Sequence, residues 1–96
     1  MAIDKEMILS FLKDNKELLK NRFNVKKIAL FGSFAKGSAK NDSDIDILVD
    51  MPSSFDKFFD LKYFLEKNLE RKIDLIKEKN LRLYIKDSIK DELIYV

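Results

Sequence analysis

The sequence predicts an α/β (α+β) domain, a small mixed β-sheet with helices packed on it, and two features of the chain support this. Three short apolar segments, residues 27–31, 44–50 and 72–77, have the length and composition of buried strands. The segments before and between them repeat apolar residues at helical spacing. Helices and strands that alternate along a chain are typical of a sheet with helices packed against it.

The size of the chain fits one hydrophobic core, so we predict that residues 1–96 form a single domain. Apolar residues make up 46% of the sequence, which is the composition of a globular protein. The 19 basic and 17 acidic residues nearly cancel and leave a formal net charge of +2. Domains that bind nucleic acid usually carry a strong basic excess, so the composition argues against direct nucleic-acid binding.

The sequence contains neither histidine nor cysteine, which excludes several kinds of site. Disulfides, cysteine- or histidine-ligated metals and the Ser-His-Asp and Cys-His triads cannot form from this chain. Catalysis would have to use carboxylates, hydroxyls, lysine or a hard metal ion. The N-terminal sequence MAIDKEMILSFLK is unlike a signal peptide, and no apolar run approaches the roughly 18 residues of a membrane span. We therefore expect a cytoplasmic protein with no membrane segment.

The first half of the chain is predicted to form a helix, a strand and a tight turn. Residues 4–22 read as one amphipathic helix, with apolar positions at Met7, Ile8, Phe11, Leu12, Leu18 and Leu19. The strand at residues 27–31 then ends at Gly32. Ser33 is placed to cap a short helix through Phe34 and Ala35.

The second half begins with a polar turn at residues 38–43, which leads into the strand at 44–50. Ser53 is expected to cap the next helix, with Asp56 three residues later as its capping-box partner. The predicted buried stripe of this helix comprises Phe55, Phe58, Phe59, Leu61, Leu65 and Leu69. After the strand at 72–77 we predict a helix over residues 80–92 and a final edge strand over residues 93–96.

The segment FGSFAKGSAKNDSDIDILVD, residues 31–50, contains both glycines and a pair of closely spaced acids. Asp44 and Asp46 lie two positions apart in a predicted strand, so both carboxylates point to one face while Ile45 and Ile47 face the core. Two such carboxylates repel by about 4 kcal/mol at a separation of about 4 Å and an effective dielectric of about 20. The pair therefore needs a cation, and an all-oxygen site favours Mg²⁺, Mn²⁺ or Ca²⁺.

Asp74 is the third acid of interest, because it interrupts the apolar strand at residues 72–77. Alone it would read as an edge residue that faces solvent, but a neighbouring strand with two acids favours a role as a metal ligand. Two familiar motifs fail here. The glycine spacing of a P-loop is present, but Ser38 and Ala39 stand where Lys and Ser/Thr are required. An EF-hand would need Gly at position 47 and Glu at position 53, where the chain has Ile and Ser.

The pattern Gly32-Ser33, ten residues, then Asp44-Ile45-Asp46 resembles the signature of the DNA polymerase β-type nucleotidyltransferases. The fuller string GSFAKG…SDIDILV resembles their smallest branch, the minimal nucleotidyltransferases (MNT). This resemblance implies a nucleotidyltransferase fold over nearly the whole chain. It also implies that Asp44, Asp46 and Asp74 bind two Mg²⁺ ions and that Asp74 takes the proton from the attacking hydroxyl. Gly32 and Ser33 would hold the outer phosphates of ATP.

Two further positions of the pattern concern the nucleotide. Lys36 stands where the family commonly has Arg, which keeps the charge but loses the bidentate guanidinium. Lys36 would therefore either contact phosphate or be a solvated helix lysine. Ser43 lies beside the acids, where it would either brace the turn or contact the nucleotide.

The resemblance also implies a partner protein, because minimal nucleotidyltransferases pair with HEPN-domain toxins in hetero-oligomers. In such pairs the enzyme acts as antitoxin by transferring AMP from ATP to a tyrosine hydroxyl of the toxin. Two other functions stay open at this point. One is a non-catalytic antitoxin that neutralises its toxin by binding alone. The other is a transferase that acts on a small molecule or an RNA end.

Overall fold

The computed structural model describes residues 3–83 and 92–96, with side chains omitted for residues 81–83. The helices are α1 (Lys5–Asp14), α2 (Lys16–Phe23), α3 (Gly32–Lys36) and α4 (Phe55–Leu69), and a 3₁₀ helix covers Glu78–Leu83. The strands are β1 (Lys27–Phe31), β2 (Ile45–Asp50), β3 (Ile73–Lys77) and β4 (Ile94–Tyr95). This order confirms the predicted alternation of helices and strands.

The four strands form one mixed sheet in the order β3-β2-β1-β4. β1 pairs antiparallel with β2 and with β4, whereas β2 and β3 run parallel. The parallel pair requires a crossover, which α4 provides. In this register Asp46 of β2 lies opposite Phe31 of β1 on one side and opposite Asp74 of β3 on the other. The sheet therefore brings the glycine turn and two of the acids together.

The main core lies between one face of the sheet and the helices α1, α2 and α4. Ile45, Ile47 and Val49 of β2 are completely buried there, which confirms that the alternate residues of this strand face the core. The helices contribute Ile8, Leu12, Leu19, Phe23, Leu61, Leu65 and Leu69. The opposite face of the sheet carries a smaller cluster of Ala29, Phe31, Leu48 and Ile76. Asp46 and Asp74 alternate with the core residues and so belong to this second face.

The single helix expected over residues 4–22 is wrong, because the chain breaks at Asn15 into α1 and α2. Asn15 has φ −103° and ψ 13°, and its side-chain Nδ2 donates to the carbonyl of Phe11 at 2.8 Å. This hydrogen bond to the backbone competes with the helix and ends α1. α2 then ends at Asn24, which adopts the left-handed conformation with φ 59°.

Two predictions for α4 are also wrong. The N-cap is Ser54 instead of Ser53, and its Oγ accepts from the Lys57 backbone N–H, so Asp56 stands one position too early for a capping box. Phe55 and Phe59 do not belong to the buried stripe: their side chains are 77% and 47% exposed. The buried positions follow a different line along the helix, through Leu61, Leu65 and Leu69.

The C-terminal part can be compared with the prediction only in the described residues. A 3₁₀ helix covers residues 78–83 and so overlaps the start of the helix predicted over residues 80–92, whereas residues 84–91 of that prediction lie outside the described residues. The final edge strand is confirmed but shorter than expected, with Ala29 and Leu30 of β1 opposite Tyr95 and Ile94. Within residues 3–83 and 92–96, no helix combines the length and apolar composition needed to cross a bilayer.

Candidate active site

The turn after β1 packs directly against the carboxylate of Asp46. Gly32 has φ +74°, a conformation that residues with a Cβ rarely adopt. A Cβ built at this position would lie 2.1 Å from Asp46 Oδ2, a distance that no real contact allows. Gly32 is therefore required both by its backbone conformation and by the space that Asp46 occupies.

Ser33 does not cap α3, contrary to the expectation from the sequence. The helix begins at Gly32, and its N-cap position is Phe31, which has no side chain able to accept a hydrogen bond. Ser33 lies within the first turn and is half-buried, and its carbonyl accepts from Ser38 N–H at 2.9 Å. α3 ends at Gly37, whose φ of +79° is left-handed like that of Gly32.

Asp46 and Asp74 form the centre of the candidate site, as direct neighbours in the parallel pair of strands. Their side chains are close enough to interact directly, and Asp46 is half-buried whereas Asp74 is exposed. The pKa of Asp46 is raised from 3.8 to about 6, first by burial and then by the negative charges of Asp74, Asp44 and Glu92. The negative charges of this pair therefore repel each other, and a bound cation would relieve the repulsion.

The donor set and the charge of this site fit a hard divalent cation. Asp44, Asp46 and Asp74 offer only oxygen ligands, and a cation would offset the repulsion that raises the pKa of Asp46. The fit does not extend to preformed coordination geometry: in the described part of the chain, no three acidic side chains already stand as a set of metal ligands. Asp46 and Asp74 are in direct contact, while Asp44 acts on Asp46 through its charge.

Lys36 is engaged by an acid that the sequence did not reveal. Its Nζ lies 3.1 Å from Oε2 of Glu92, which is mostly buried and belongs to the segment before β4. Glu92 also contributes to the raised pKa of Asp46, so it carries negative charge towards the site. No sequence pattern links Glu92 to the glycine turn, because β4 reaches β1 only through the tertiary fold.

Arg71 is a second residue that sequence reasoning missed, and it holds the turn that precedes the acids. Its Nη1 donates to the carbonyl oxygens of Asn41 and Ser43, at 2.8 and 3.1 Å, and its guanidinium lies 5.6 Å from the centroid of the Phe34 ring. Ser43 Oγ accepts from Lys40 N–H at 2.8 Å, which is a turn-bracing contact. These contacts fix the backbone next to Asp44, and an arginine in a polar turn gives no sequence signal of them.

We expect Arg71→Lys to lower the free energy of unfolding by about 1–2 kcal/mol. Lysine keeps the charge but cannot donate to both carbonyl oxygens, and it lacks the planar guanidinium that stacks on the ring of Phe34. Urea denaturation measures this loss, and hydrogen exchange should show weaker protection at residues 40–44. Arg22→Lys is the matched control, because Arg22 also lies over aromatic rings, those of Phe23 and Phe64. The free energy of unfolding of this variant should stay within about 0.5 kcal/mol of that of the unmodified chain. Equal losses in the two variants would contradict a bracing role for Arg71.

Among known protein families, the one described as a nucleotidyltransferase domain matches residues 9–96 of this chain. A candidate protein adenylyltransferase of Methanocaldococcus jannaschii is 44% identical, over 93% of this chain and 94% of its own length. Protein adenylyltransferase MntA of Thermococcus cleftensis is 41% identical, over 95% of this chain and 94% of its own length. The similarity therefore covers almost the whole of each protein.

Two solved structures resemble the fold. A candidate minimal nucleotidyltransferase superposes with a TM-score of 0.77 at 29% identity, over 96% of this chain and 95% of that one. A toxin–antitoxin crystal structure with AMP-PNP gives a TM-score of 0.54 at 27% identity, over 78% of this chain and 57% of that one. The first of these confirms the mixed sheet with helices as a minimal nucleotidyltransferase fold.

Proposed function

Because this chain belongs to the nucleotidyltransferase domain family, we propose that it is a Mg²⁺-dependent protein adenylyltransferase that serves as the antitoxin of a HEPN-domain toxin. It transfers AMP from ATP to a tyrosine hydroxyl of the toxin and acts within a hetero-oligomer in the cytoplasm. The observation that carries the proposal is the pairing of Asp46 with Asp74 directly against the Gly32 turn. Relatives named protein adenylyltransferases support the reaction, and the toxin–antitoxin structure with AMP-PNP supports the partner and the nucleotide.

In this proposal Asp44, Asp46 and Asp74 hold the magnesium ions, whose chemistry is to neutralise the charge of the triphosphate. The backbone N–H groups of Gly32 and Ser33, with the Ser33 hydroxyl, would hold the outer phosphates. Transfer forms a bond between the tyrosine oxygen and the α-phosphorus and breaks the bond from the α-phosphorus to the bridging oxygen. Pyrophosphate leaves with the electron pair of that broken bond.

The place of Asp74 in the sheet supports a role as proton acceptor. It is exposed on β3, the edge strand of the sheet, so an acceptor hydroxyl from another protein can reach it. A tyrosine hydroxyl has a pKa near 10 and holds its proton at neutral pH, which makes a nearby carboxylate useful. Asp74 would take this proton as the tyrosine oxygen attacks.

One observation favours a second candidate function, an antitoxin that binds its toxin without modifying it. The side chain of Lys36 pairs with Glu92, so the lysine that replaces the family's usual arginine is not held towards a phosphate. In that case the toxin would be neutralised by contact alone, and the acids would play no part.

Incubation of the chain with ATP labelled at the α-phosphate, Mg²⁺ and a purified HEPN-domain toxin from the same organism separates the two functions. We expect label on the toxin, lost with Asp74→Asn and with replacement of the toxin's acceptor tyrosine by phenylalanine. Asp60→Asn on the exposed face of α4 is the control and should label normally. A stable complex that never carries label would overturn the catalytic proposal in favour of neutralisation by binding.

We also expect Mg²⁺ with ATP to raise the melting temperature of the isolated chain, because ligands that bind only the folded state stabilise it. A ligand concentration of 100 times Kd corresponds to about 2.7 kcal/mol. Asp44→Asn should reduce this shift by weakening the binding of the ion. Differential scanning fluorimetry with ATP alone, Mg²⁺ alone and both together measures the effect, and an unchanged melting temperature at millimolar Mg²⁺ and ATP would contradict a working site.

A further inference from the structure

Three aromatic side chains protrude from one face of α4. Phe55, Phe59 and Tyr63 are 77%, 47% and 65% exposed. Their spacing of four residues places them in a single stripe along the helix, and the rings of Phe55 and Phe59 pack with centroids 4.7 Å apart. We call these three residues the aromatic ridge. Large apolar side chains that are exposed next to one another are typical of surfaces that bind another molecule.

A groove of about 470 Å³ runs beside the ridge, between the start of α4 and the end of β3. Its walls are apolar, with Phe58 and Phe59 on one side and Leu75 on the other. Lys77 and Lys79 add positive charge, and Lys77 Nζ lies 5.2 Å from the centroid of the Phe58 ring. Among the described residues, no acidic side chain lines this groove. The groove therefore combines apolar walls with the positive charge of two lysines.

The groove also lies next to the candidate active site. Ile76 lines it and belongs to the same face of β3 as Asp74, two residues away. Two residues along a strand span about 7 Å, so a protein seated in the groove lies within a side-chain length of Asp74. A docking surface at this place would bring an acceptor hydroxyl to the group that takes its proton.

We propose that the aromatic ridge and the adjoining groove are the docking surface for the toxin partner. The occupant is an amphipathic helix of the toxin, whose apolar stripe packs on Phe55 and Phe59 and whose acidic side chains face Lys77 and Lys79. This proposal rests on the partner named in the proposed function. Helices commonly bind in grooves of this kind through apolar anchors at helical spacing. A second copy related by a two-fold axis would present the same groove, whose described lining offers no acidic side chain to face Lys77 and Lys79.

The test measures binding of the HEPN-domain toxin used above, by titration calorimetry, to Phe55→Ser, Phe59→Ser and Lys79→Glu. We expect each phenylalanine variant to bind at least about 10-fold more weakly, because exposed aromatic anchors dominate such interfaces. Lys79→Glu should weaken binding most at low salt. Met7→Ser is the matched control, since Met7 is 42% exposed on α1, and it should bind as the unmodified chain does.

The melting-temperature shift with Mg²⁺ and ATP serves as the second readout and should be unchanged in all four variants. Unchanged toxin affinity in both phenylalanine variants would overturn the proposal, as would an unmodified chain that does not bind the toxin. Sedimentation that shows a dimer of the isolated chain, lost in Phe59→Ser, would assign the surface to a second copy and overturn it as well. Binding that depends on the ridge but yields no label would leave the docking surface standing and refute the transfer reaction.

Discussion

Replacement of Asp46 by asparagine is expected to lower AMP transfer about 10³-fold and at the same time to make the metal-free chain more stable at neutral pH. The loss follows because the side chain would no longer carry the charge that holds the cation, and such charge stabilisation amounts to several kcal/mol. The gain follows because the ionised carboxylate opposes folding: burial and the charges of Asp74, Asp44 and Glu92 raise its pKa from 3.8 to about 6.

The sign of the pH dependence is fixed by this raised pKa. Below pH 3.8 Asp46 is protonated in both the folded and unfolded states, so it makes no difference to stability. Between pH 4 and 6 the unfolded state ionises first, and above pH 6 the full penalty applies. The shift would correspond to about 3 kcal/mol, but Asp46 is only half-buried, so screening by solvent reduces our expectation to about 1–2 kcal/mol.

Urea denaturation of the metal-free chain and of Asp46→Asn, at pH 4 and at pH 7.5, measures this effect. The difference in unfolding free energy between the two proteins should grow from near zero to about 1–2 kcal/mol in favour of Asp46→Asn. Saturating Mg²⁺ and ATP should reverse the order by stabilising only the unmodified chain. A variant less stable than the unmodified chain at pH 7.5 without metal would contradict this account of the site.

Gly32→Ala is the second substitution with a large expected effect, and it should cost about 2–4 kcal/mol of stability together with most of the transfer activity. Left-handed backbone strains an alanine, and the new methyl group would overlap the Asp46 carboxylate. Asp46 would have to turn away, which removes it from Asp74. Gly37→Ala separates the two causes, because Gly37 has φ +79° but open space around its Cβ position, so only the backbone term of about 1 kcal/mol should appear.

A double-substitution cycle tests whether Asp46 is the group that excludes the methyl. Shortening Asp46 to alanine should stabilise the Gly32→Ala background by more than it stabilises the unmodified chain, and this excess is the coupling between the two positions. Urea denaturation of the four proteins measures it. Costs that simply add would mean that Gly32 is required by its backbone conformation alone.

The parts of the site that could be predicted from sequence are those fixed by strand periodicity. Ile45 and Ile47 alternate with Asp46, so the face of each side chain followed once the strand was recognised, and the structure confirms that both isoleucines are buried. An acid within the apolar segment around Asp74 pointed to a second strand in the same way, and the structure places it opposite Asp46. The alternation of apolar and polar residues along a strand is a local property of the sequence, so it can be recognised without knowledge of the fold.

The parts that could not be predicted depend on contacts between distant segments. Arg71 reaches the carbonyl oxygens of the turn before Asp44, and Glu92 reaches Lys36, although neither residue belongs to a recognisable motif. The position of Asn15 gave no warning of a helix break, because an asparagine inside an amphipathic pattern is also tolerated when its side chain faces water. The exposure of Phe55 and Phe59 likewise depends on where α4 meets the sheet.

The parallel pairing of β2 with β3 also has a kinetic consequence. The whole of α4 lies between these two strands in the sequence, and parallel contacts between such distant segments form slowly. Pairing of β2 with β3 also brings Asp46 and Asp74 into contact. Repulsion between their negative charges should therefore raise the barrier to folding as well as lower the stability of the folded state. Refolding in stopped-flow experiments should then accelerate in mildly acidic buffer, because the raised pKa of Asp46 lets this side chain be protonated there.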